Sequence, residues 1–315
     1  MPKPAQPRHG SMQVWPRVRA RRSYARVRTW NTKNPGPAGF PGYKAGMTHV
    51  MATDGRKNSP MKGETLAIPV TVIECPPLKV AGVRFYKNSI PSLDIHFKPS
   101  KDVLRKVNLK QKGDLSKVNA AEYEDVVLII HTQPALAGIK KKPELFEIPM
   151  GGSMEEKIKY AQEHQEITVQ DALKESSLVD FHAITTGRGF QGPVKRFGVS
   201  IRHHKSEKTK RGPGSLGAWY GQAHMMYRVA HAGQMGYHQR TQYNNLILKI
   251  GTKGEEVTPK GGFIRYGVVK NPYVLIKGSI PGPKKRMVIM AQALRPTEAP
   301  EQYTIDSIST RSKQG

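Results

Sequence analysis

The stretch Thr65-Leu-Ala-Ile-Pro-Val-Thr-Val-Ile-Glu74 has the composition of a β-strand, and it decides the fold class. It is rich in β-branched residues, which pack well on a pleated sheet and lose side-chain freedom in a helix. Similar short runs occupy residues 46–52 and 80–86, and Asp54-Gly55 is a turn signal after the first of them. Many short runs interrupted by Pro and Gly are typical of a β-barrel or a sandwich.

The pattern changes after residue 86 and returns after residue 180. Between them, an apolar run at 126–131 predicts a strand, and the charged stretch 100–120 predicts a helix. Two further helices are predicted where Ser153 precedes Glu156, and Thr168 precedes Asp171, by the three residues of a capping box. We therefore expect an α/β insertion at 87–180 within a β domain.

Further strands of the β domain are predicted in the C-terminal third of the chain. The β domain is assigned to residues 36–86 and 181–295, and the polar residues 296–315 form a predicted tail. The predicted C-terminal strands are residues 246–249, 262–269, 273–277 and 287–291.

The charge of the chain is large and unevenly distributed. There are 51 Lys and Arg against 24 Asp and Glu, a formal net charge of +27. Residues 101–180 hold twelve cations and fourteen acids, a net −2, so the rest of the chain carries +29. Such an excess is typical of proteins that bind a polyanion, whose phosphates neutralise the charge and release counterions. The partner surface is therefore expected outside residues 101–180; a merely solvated basic surface is the alternative.

Two basic segments have the composition of nucleic-acid-binding projections. Residues 1–35 form a predicted arm, expected to order only on RNA, whose arginines can bind phosphate bidentately and stack on bases. A solvated tail is the alternative. Residues 187–245 hold ten cations, five His, ten Gly and one acid, Glu207. Such a segment is too long for an ordinary loop, and its interleaved aromatic side chains can stack on unpaired bases. It predicts an extension that lies against RNA.

Apparent catalytic motifs in this chain are weak. Residues 187–192 fit G-x-G-x-x-G, but Pro193 follows, no helical periodicity comes after it, and no acid lies about 20 residues on to hold a ribose. The five histidines of the extension lack cysteine partners and an H-E-x-x-H pattern. Acids are almost absent from the basic segments, which argues against an acid-bound metal nuclease. No enzymatic activity, cofactor, metal site or small-molecule substrate is predicted.

The compartment is indicated by two further observations. Cys75 is the only cysteine, which fits a reducing environment. No apolar run approaches the roughly 20 residues that a membrane helix needs, so no membrane association is predicted.

Ten short motifs occur in a fixed order along nearly the whole chain. They are Pro7-Arg-His-Gly10, Gly42-Tyr-Lys-Ala-Gly-Met-Thr48, His131-Thr-Gln133, Gly151-Gly-Ser153, Ala183-Ile-Thr-Thr-Gly-Arg-Gly-Phe-Gln-Gly192, Gly217-Ala-Trp219, Arg228-Val-Ala-His-Ala-Gly-Gln-Met-Gly-Tyr237, Gly261-Gly-Phe263, Tyr266-Gly267 and Lys277-Gly-Ser-Ile-Pro-Gly282. Together these motifs resemble the L-three family of large-subunit ribosomal proteins, in its archaeal–eukaryotic form.

The resemblance implies a fold that is mainly β with an α/β insertion: a six-stranded β-barrel like the second domain of translation factors, an N-terminal arm and a long central extension. It implies a structural role in the cytoplasmic ribosome, binding of large-subunit rRNA, promotion of subunit assembly and contact with neighbouring ribosomal proteins. By position, Trp219 would lie at the tip of the extension, near the peptidyl-transferase region and the tRNA entry path. Eukaryotic relatives carry a modified histidine before an Arg-Gly pair, whereas this chain has Lys210 before Arg211-Gly212.

The residues expected to contact rRNA share a position in the arm or the extension, with Lys44 as an addition from the β domain. They are Arg8, His9, Arg17, Arg19, Arg21, Arg22, Arg26, Arg28, Lys44, Arg188, Lys195, Arg196, Arg202, His203, His204, Lys205, Lys208, Lys210, Arg211, Trp219, Arg228, His231, Tyr237, His238 and Arg240.

Two rival functions remain open from the residues alone. An RNA-modifying enzyme with a barrel domain would need a cofactor pocket or clustered acids beside the basic surface. A DNA-binding regulator would usually show a compact recognition helix or a zinc module. Neither feature is evident in the sequence.

Overall fold

The computed structural model describes residues 14, 17–111, 113, 115, 118–119, 122–206, 208–216, 229–296 and 302–312. The chain divides into two compact units. Residues 24–183 and 241–315 form one, called here the β unit, and residues 1–23 and 184–240 form the other, called the basic unit.

The elements are numbered in chain order. The strands are β1 (Gly36–Pro37), β2 (Gly39–Asp54), β3 (Thr65–Glu74), β4 (Leu78–Lys87), β5 (Ile90–His96), β6 (Asp125–His131), β7 (Leu145–Gly151), β8 (Glu166–Ile167), β9 (Leu178–Ile184), β10 (Phe190–Gln191), β11 (Gly233–Gln234), β12 (Gln239–Gly251), β13 (Tyr273–Lys277), β14 (Met287–Gln292) and β15 (Tyr303–Ile308). The helices are α1 (Lys101–Leu104), α2 (Met154–Glu163), α3 (Val169–Ala172) and α4 (Pro193–Phe197), with a short 3-10 helix at Gly254–Val257. No helix within the described ranges is long and apolar enough to cross a membrane.

The larger sheet of the β unit curls back on itself. Its order is β14-β9-β12-β13-β3-β2-β15, and β14 also pairs with β2, so six of these strands pair in a closed ring. The long strand β2 makes this possible because it changes partner along its length, pairing with β14 through residues 39–43 and with β15 through 50–54. A register shift between Lys44 and Gly46 marks a bulge, which bends a strand at such a point. The chain is thus mainly β, as the sequence predicts.

A second sheet forms the rest of the β unit, in the order β1-β7-β6-β4-β5, with β8 beside β4. The capping box predicted at the start of α2 is confirmed: Ser153 Oγ accepts from Glu156 N at 3.3 Å, and Glu156 Oε2 accepts from Ser153 N at 2.9 Å. Buried residues of both sheets, such as Phe40, Leu128 and Phe181, belong to one hydrophobic cluster. Each buried side chain of this size contributes about 1.5–3 kcal/mol.

Strand β4 was predicted within the barrel segment 36–86, and the structure corrects this. It pairs with β5, β6 and β8 in the second sheet. A continuous apolar run is compatible with any strand whose two faces are both buried. The run alone therefore does not specify which strands it pairs with, and so does not specify its sheet.

Two predicted elements are also corrected where backbone torsions oppose them. Among the described residues of 100–120, the expected α-helix is limited to α1, and Gly113 has a φ of +75°, which no right-handed helix contains. The strand expected over 262–269 is a tight turn, with a single bridge between Phe263 and Gly267. Positive φ angles at Gly262, Arg265 and Gly267 turn the chain there.

Both ends of the β unit are more ordered than the sequence suggested. Part of the predicted tail 296–315 is the strand β15. Within the predicted arm, Ala25 is buried, and Tyr24, Val27 and Trp30 pack against a small cluster around Tyr43. The sequence-based prediction missed this packing because it considered only aliphatic residues, whereas two of the packed residues, Tyr24 and Trp30, are aromatic.

Candidate nucleic-acid interface

The basic unit is built on an antiparallel ladder between residues 185–191 and 233–238. Arg188 N donates to Met235 O at 2.9 Å, and Met235 N donates to Gly189 O at 2.8 Å. These two bonds lie next to the pairing of β10 with β11. The two segments approach so closely that a Cβ at Gly236 would lie 2.0 Å from Thr186 O. Glycine is therefore required at 236, where φ is also +71°.

Helix α4 follows this ladder, and an arginine of the helix is hydrogen-bonded to the segment that contains β11. Pro193 occupies the first turn, where its missing N–H costs nothing, and Gly198 ends the helix at a φ of +70°. Arg196 donates from Nε to Gln234 O at 3.1 Å and from Nη1 to His231 O at 2.9 Å. The prediction that no helix follows residue 192 is thus wrong. However, α4 has only five residues, and the strand β10 before it pairs antiparallel with β11, unlike the parallel strands of a dinucleotide-binding βαβ unit.

The N-terminal arm lies along the ladder. Ala20 N donates to Tyr237 O at 2.8 Å, and His238 Nδ1 lies 2.9 Å from Val18 O. Since a carbonyl oxygen only accepts, Nδ1 of His238 carries the proton of this bond. The arm and the extension therefore share one backbone framework.

Two arginines of the arm cover aromatic rings of the extension. Arg17 lies 4.3 Å from the ring centroid of Phe197, and Arg19 lies 5.4 Å from that of Tyr237. Cation–π contacts at exposed sites contribute about 0.5–1 kcal/mol each. The interleaving of aromatic and basic residues was visible in the sequence, but the pairing of the arm with these particular rings was not.

Positive charges crowd around His238, which is 8% exposed. Burial lowers its pKa, and the nearby arginines Arg240, Arg196 and Arg17 lower it further, against the opposing bond to Val18 O. Burial, and then the charge of Arg17, also lowers the pKa of Arg240. Cations held this close repel one another, so a bound anion would stabilise the arrangement.

A basic loop at 201–211 projects its side chains into solvent. Arg202 N donates to Lys210 O at 3.0 Å, and Arg202 Nη2 donates to Gly214 O at 3.2 Å. The rings of His203 and His204 are in contact, with centroids 4.0 Å apart. The backbone thus holds several cations along one short loop.

The predicted contact residues fall into three groups. Those exposed are Arg19, Arg21, Arg22, Arg26, Arg28, Arg188, Lys195, Arg202, His203, His204, Lys205, Lys208, Lys210 and Arg211. Those partly or fully buried are Arg17, Lys44, Arg196, His231, Tyr237, His238 and Arg240. Arg8, His9, Trp219 and Arg228 lie outside the described residues.

Several buried members of this set are engaged inside the protein. Arg196 and His238 bind backbone carbonyls, as described above. Lys44, in the β unit, donates from Nζ to Ile280 O at 2.7 Å and Gly282 O at 3.1 Å. Charge in the sequence does not distinguish such internal bonds from contacts with a ligand.

The exposed members offer what a phosphate backbone binds: many cations, backbone N–H groups near glycines, and aromatic faces such as Phe190, which is 76% exposed. Among the described residues no three His, Cys, Asp or Glu side chains group as metal ligands would. Fold and surface together define a mainly β protein that carries a separate, strongly basic unit.

Comparisons with known proteins agree with one another. The family model of ribosomal protein L3 matches residues 1–94 and 84–315. Large ribosomal subunit protein uL3 of Archaeoglobus fulgidus is 45% identical over 327 aligned residues, 98% of each chain. The proteins of the same name from Methanothermobacter thermautotrophicus and Picrophilus torridus are 45% and 42% identical over 98% and 100% of each chain. This chain belongs to the ribosomal protein L3 family. It is a ribosomal protein in the archaeal form of that family, not an enzyme.

Proposed function

We propose that this chain is a structural constituent of the large ribosomal subunit that binds large-subunit rRNA mainly through its basic unit. The observation that carries the proposal is the shared framework of the arm and the extension. Val18 O and Ala20 N are bonded to His238 and Tyr237, so two basic segments far apart in sequence present their cations together.

Phosphate neutralisation supplies most of the affinity in this proposal. The exposed cations of the arm and of the loop 201–211 contact the RNA backbone, and each neutralised phosphate releases condensed counterions. Exposed aromatic faces stack on unpaired bases and fix the register. Arg196, His238 and Lys44 act indirectly, since their bonds to carbonyl oxygens hold the surrounding chain in place.

The finer architecture of the proposal follows the family. The closed ring of six strands is taken as the translation-factor-like barrel, residues 87–180 together with strand β4 as the insertion, and residues 187–245 as the extension. The tip of the extension, at Trp219, approaches the peptidyl-transferase region and the tRNA entry path. The protein promotes subunit assembly, contacts neighbouring ribosomal proteins and acts in cytoplasmic ribosomes.

Chemical footprinting of large-subunit rRNA, with and without the purified full chain at physiological salt, tests the proposal. We expect protection at a few discrete sites, some far from the main docking site. Diffuse protection that vanishes with modest added salt would show that the +27 charge acts nonspecifically, and would overturn it. Equal binding to duplex DNA at the same salt would favour a general polyanion binder.

A further inference from the structure

A third basic stretch, near the end of the β unit, has no role in the function proposed so far. Residues 257–297 contain eight Lys or Arg and no Asp or Glu. Unlike the basic unit, this stretch is interrupted by the buried strands β13 and β14, so only its turns can meet a partner. The question is whether those turns bring the cations together.

The structure joins two of these turns through specific bonds. Lys284 Nζ donates to Ile264 O at 2.9 Å, which ties the loop after β13 to the tight turn Phe263–Gly267. Lys285 N donates to Lys44 O at 2.9 Å, which ties the same loop to β2. Residues 261–270 and 280–286 thus form one surface, called here the turn–loop surface.

A buried carboxylate holds the turn in place from beneath. Glu74 is fully buried at the end of β3. It accepts from Lys270 N and Asn271 N, each at 2.9 Å, from Asn271 Nδ2 at 2.7 Å, and from the hydroxyl of Tyr266. Because Glu74 is buried and bonded to these internal donors, its carboxylate does not compete with a ligand for the cations of the surface above.

The outward side of the turn–loop surface combines cations with apolar side chains. Arg265, Lys270, Lys284 and Lys285 are exposed. Ile264 and Val268 are also exposed, at 40% and 51%. RNA offers phosphates for the cations and sugar and base surfaces for the aliphatic groups, so this combination fits a folded RNA strand.

The cations are close enough to affect one another. Burial, and then the positive charge of Lys284, lowers the pKa of Lys44. The amine of Lys44 is half-buried and bonded to two carbonyl oxygens, whereas Lys284 is exposed with a bond to one carbonyl oxygen and Lys285 is exposed, so Lys284 and Lys285 are the more available to a ligand. A phosphate at this position would relieve the repulsion between Lys284 and Lys44.

We propose that the turn–loop surface is a third RNA-binding surface, on which Lys284 and Lys285 bind phosphodiester oxygens and Ile264 packs against the sugar edge of the same strand. The inference rests on the proposed rRNA binding and extends it from the basic unit to the β unit. It takes folded RNA as the ligand; an acidic protein surface is the alternative that the test must exclude.

The test compares two neutralised lysine pairs in the full chain. The test variant is K284Q/K285Q, and the matched control is K141Q/K142Q, an exposed consecutive pair in the acid-rich stretch 101–180. Binding to large-subunit rRNA is measured over a range of salt. Two lost phosphate contacts should flatten the log–log salt slope by about 1.4–1.8 and weaken binding by roughly tenfold or more at physiological salt. The control should match the wild type.

Each outcome decides the matter. Equal losses of rRNA affinity in both variants would mean that only the net charge of the chain matters. An unchanged log–log salt slope in K284Q/K285Q would favour an acidic protein as the ligand of this surface. Either result would overturn this inference without affecting the proposed function. A wild-type chain that fails to bind rRNA overturns the proposed function as well.

A second measurement guards against a folding defect in the lysine variant. Cys75 is buried, so a cysteine introduced as Ile264→Cys would be the accessible thiol for a tethered RNA-cleaving reagent. Cleavage at discrete rRNA positions is expected from residue 264, and none from the exposed control Leu136→Cys. Absence of cleavage from 264 in a chain that still binds rRNA would overturn the inference.

Discussion

His238 and Val18 are 220 residues apart in sequence, yet the imidazole Nδ1 of one lies 2.9 Å from the carbonyl oxygen of the other. This bond fastens the N-terminal arm to the chain that returns from the extension. The basic unit is therefore not two independent tails.

Removing this imidazole should release the arm. In His238→Phe, Val18 O loses its donor, a change worth about 1 kcal/mol, and the adjacent bond from Ala20 N to Tyr237 O should open more often. Hydrogen exchange at residues 19–22 should accelerate. His238→Asn retains an N–H donor and should restore most of the protection; equal exchange in all three proteins would contradict the role given to His238.

Deleting residues 2–23 should weaken rRNA binding without unfolding the β unit. The deletion removes six cations, and each lost phosphate contact flattens the salt slope by about 0.7–0.9. It keeps Tyr24, Ala25 and Trp30, which are packed in the β unit, so the thermal unfolding midpoint of that unit should change little. A salt slope equal to that of the full chain would count against the arm as a binding element.

Replacing Glu74 by Gln should destabilise the chain and loosen the turn above it. An amide offers one acceptor oxygen where the carboxylate accepts from four donors, so buried donors lose partners at about 1–3 kcal/mol each. Denaturant unfolding measures the loss, and exposed Glu64→Gln is the control. If the two variants were equally stable, the hydrogen bonds to the Glu74 carboxylate would not contribute to the stability of the chain.

The stability of the β unit should fall as the pH drops below about 6.5. Burial lowers the pKa of His131 and His182, so the fold holds both imidazoles neutral while the unfolded chain protonates them near 6.5. Their contribution is complete above that pH and is lost as the pH falls through the lower folded pKa. Thermal midpoints from pH 7.5 to 5.5 should decline less in His131→Asn than in the wild type. Parallel declines would refute this assignment.

Trp219→Ala, in reconstituted ribosomes, should leave subunit assembly largely intact and alter tRNA accommodation. The reason is the proposed position of this side chain at the tip of the extension. Leu216→Ala, an exposed neighbour, serves as the control. Unchanged accommodation kinetics in Trp219→Ala would remove the link between the extension and the tRNA path.

Features encoded by neighbouring residues were predictable from the sequence. β-Branched runs indicated the strand β3, and the spacing of Ser153 and Glu156 indicated the start of α2. The cations at 202–211 were also evident in the sequence, and the structure shows that their side chains are exposed, whereas their contact with rRNA stays a prediction.

Features that depend on distant pairing were not predictable. The run that forms β4 is compatible with either sheet, and only its partners β5 and β6 decide between them. Similarly, the sequence shows His238 as one imidazole among many cations, because its bond to Val18 arises only when both segments are folded.

The dual pairing of β2 has a consequence for how the chain is made. The ring around β2 closes through β14, at Met287–Gln292, whereas the strands of the second sheet are all present by Ile167. At about 5–20 residues per second, synthesis separates β2 from β14 by roughly 10–50 s. During that interval one side of a long, apolar strand has no partner, and an open strand edge is a template for wrong pairing. The newborn protein is therefore most vulnerable to aggregation before its last strands emerge.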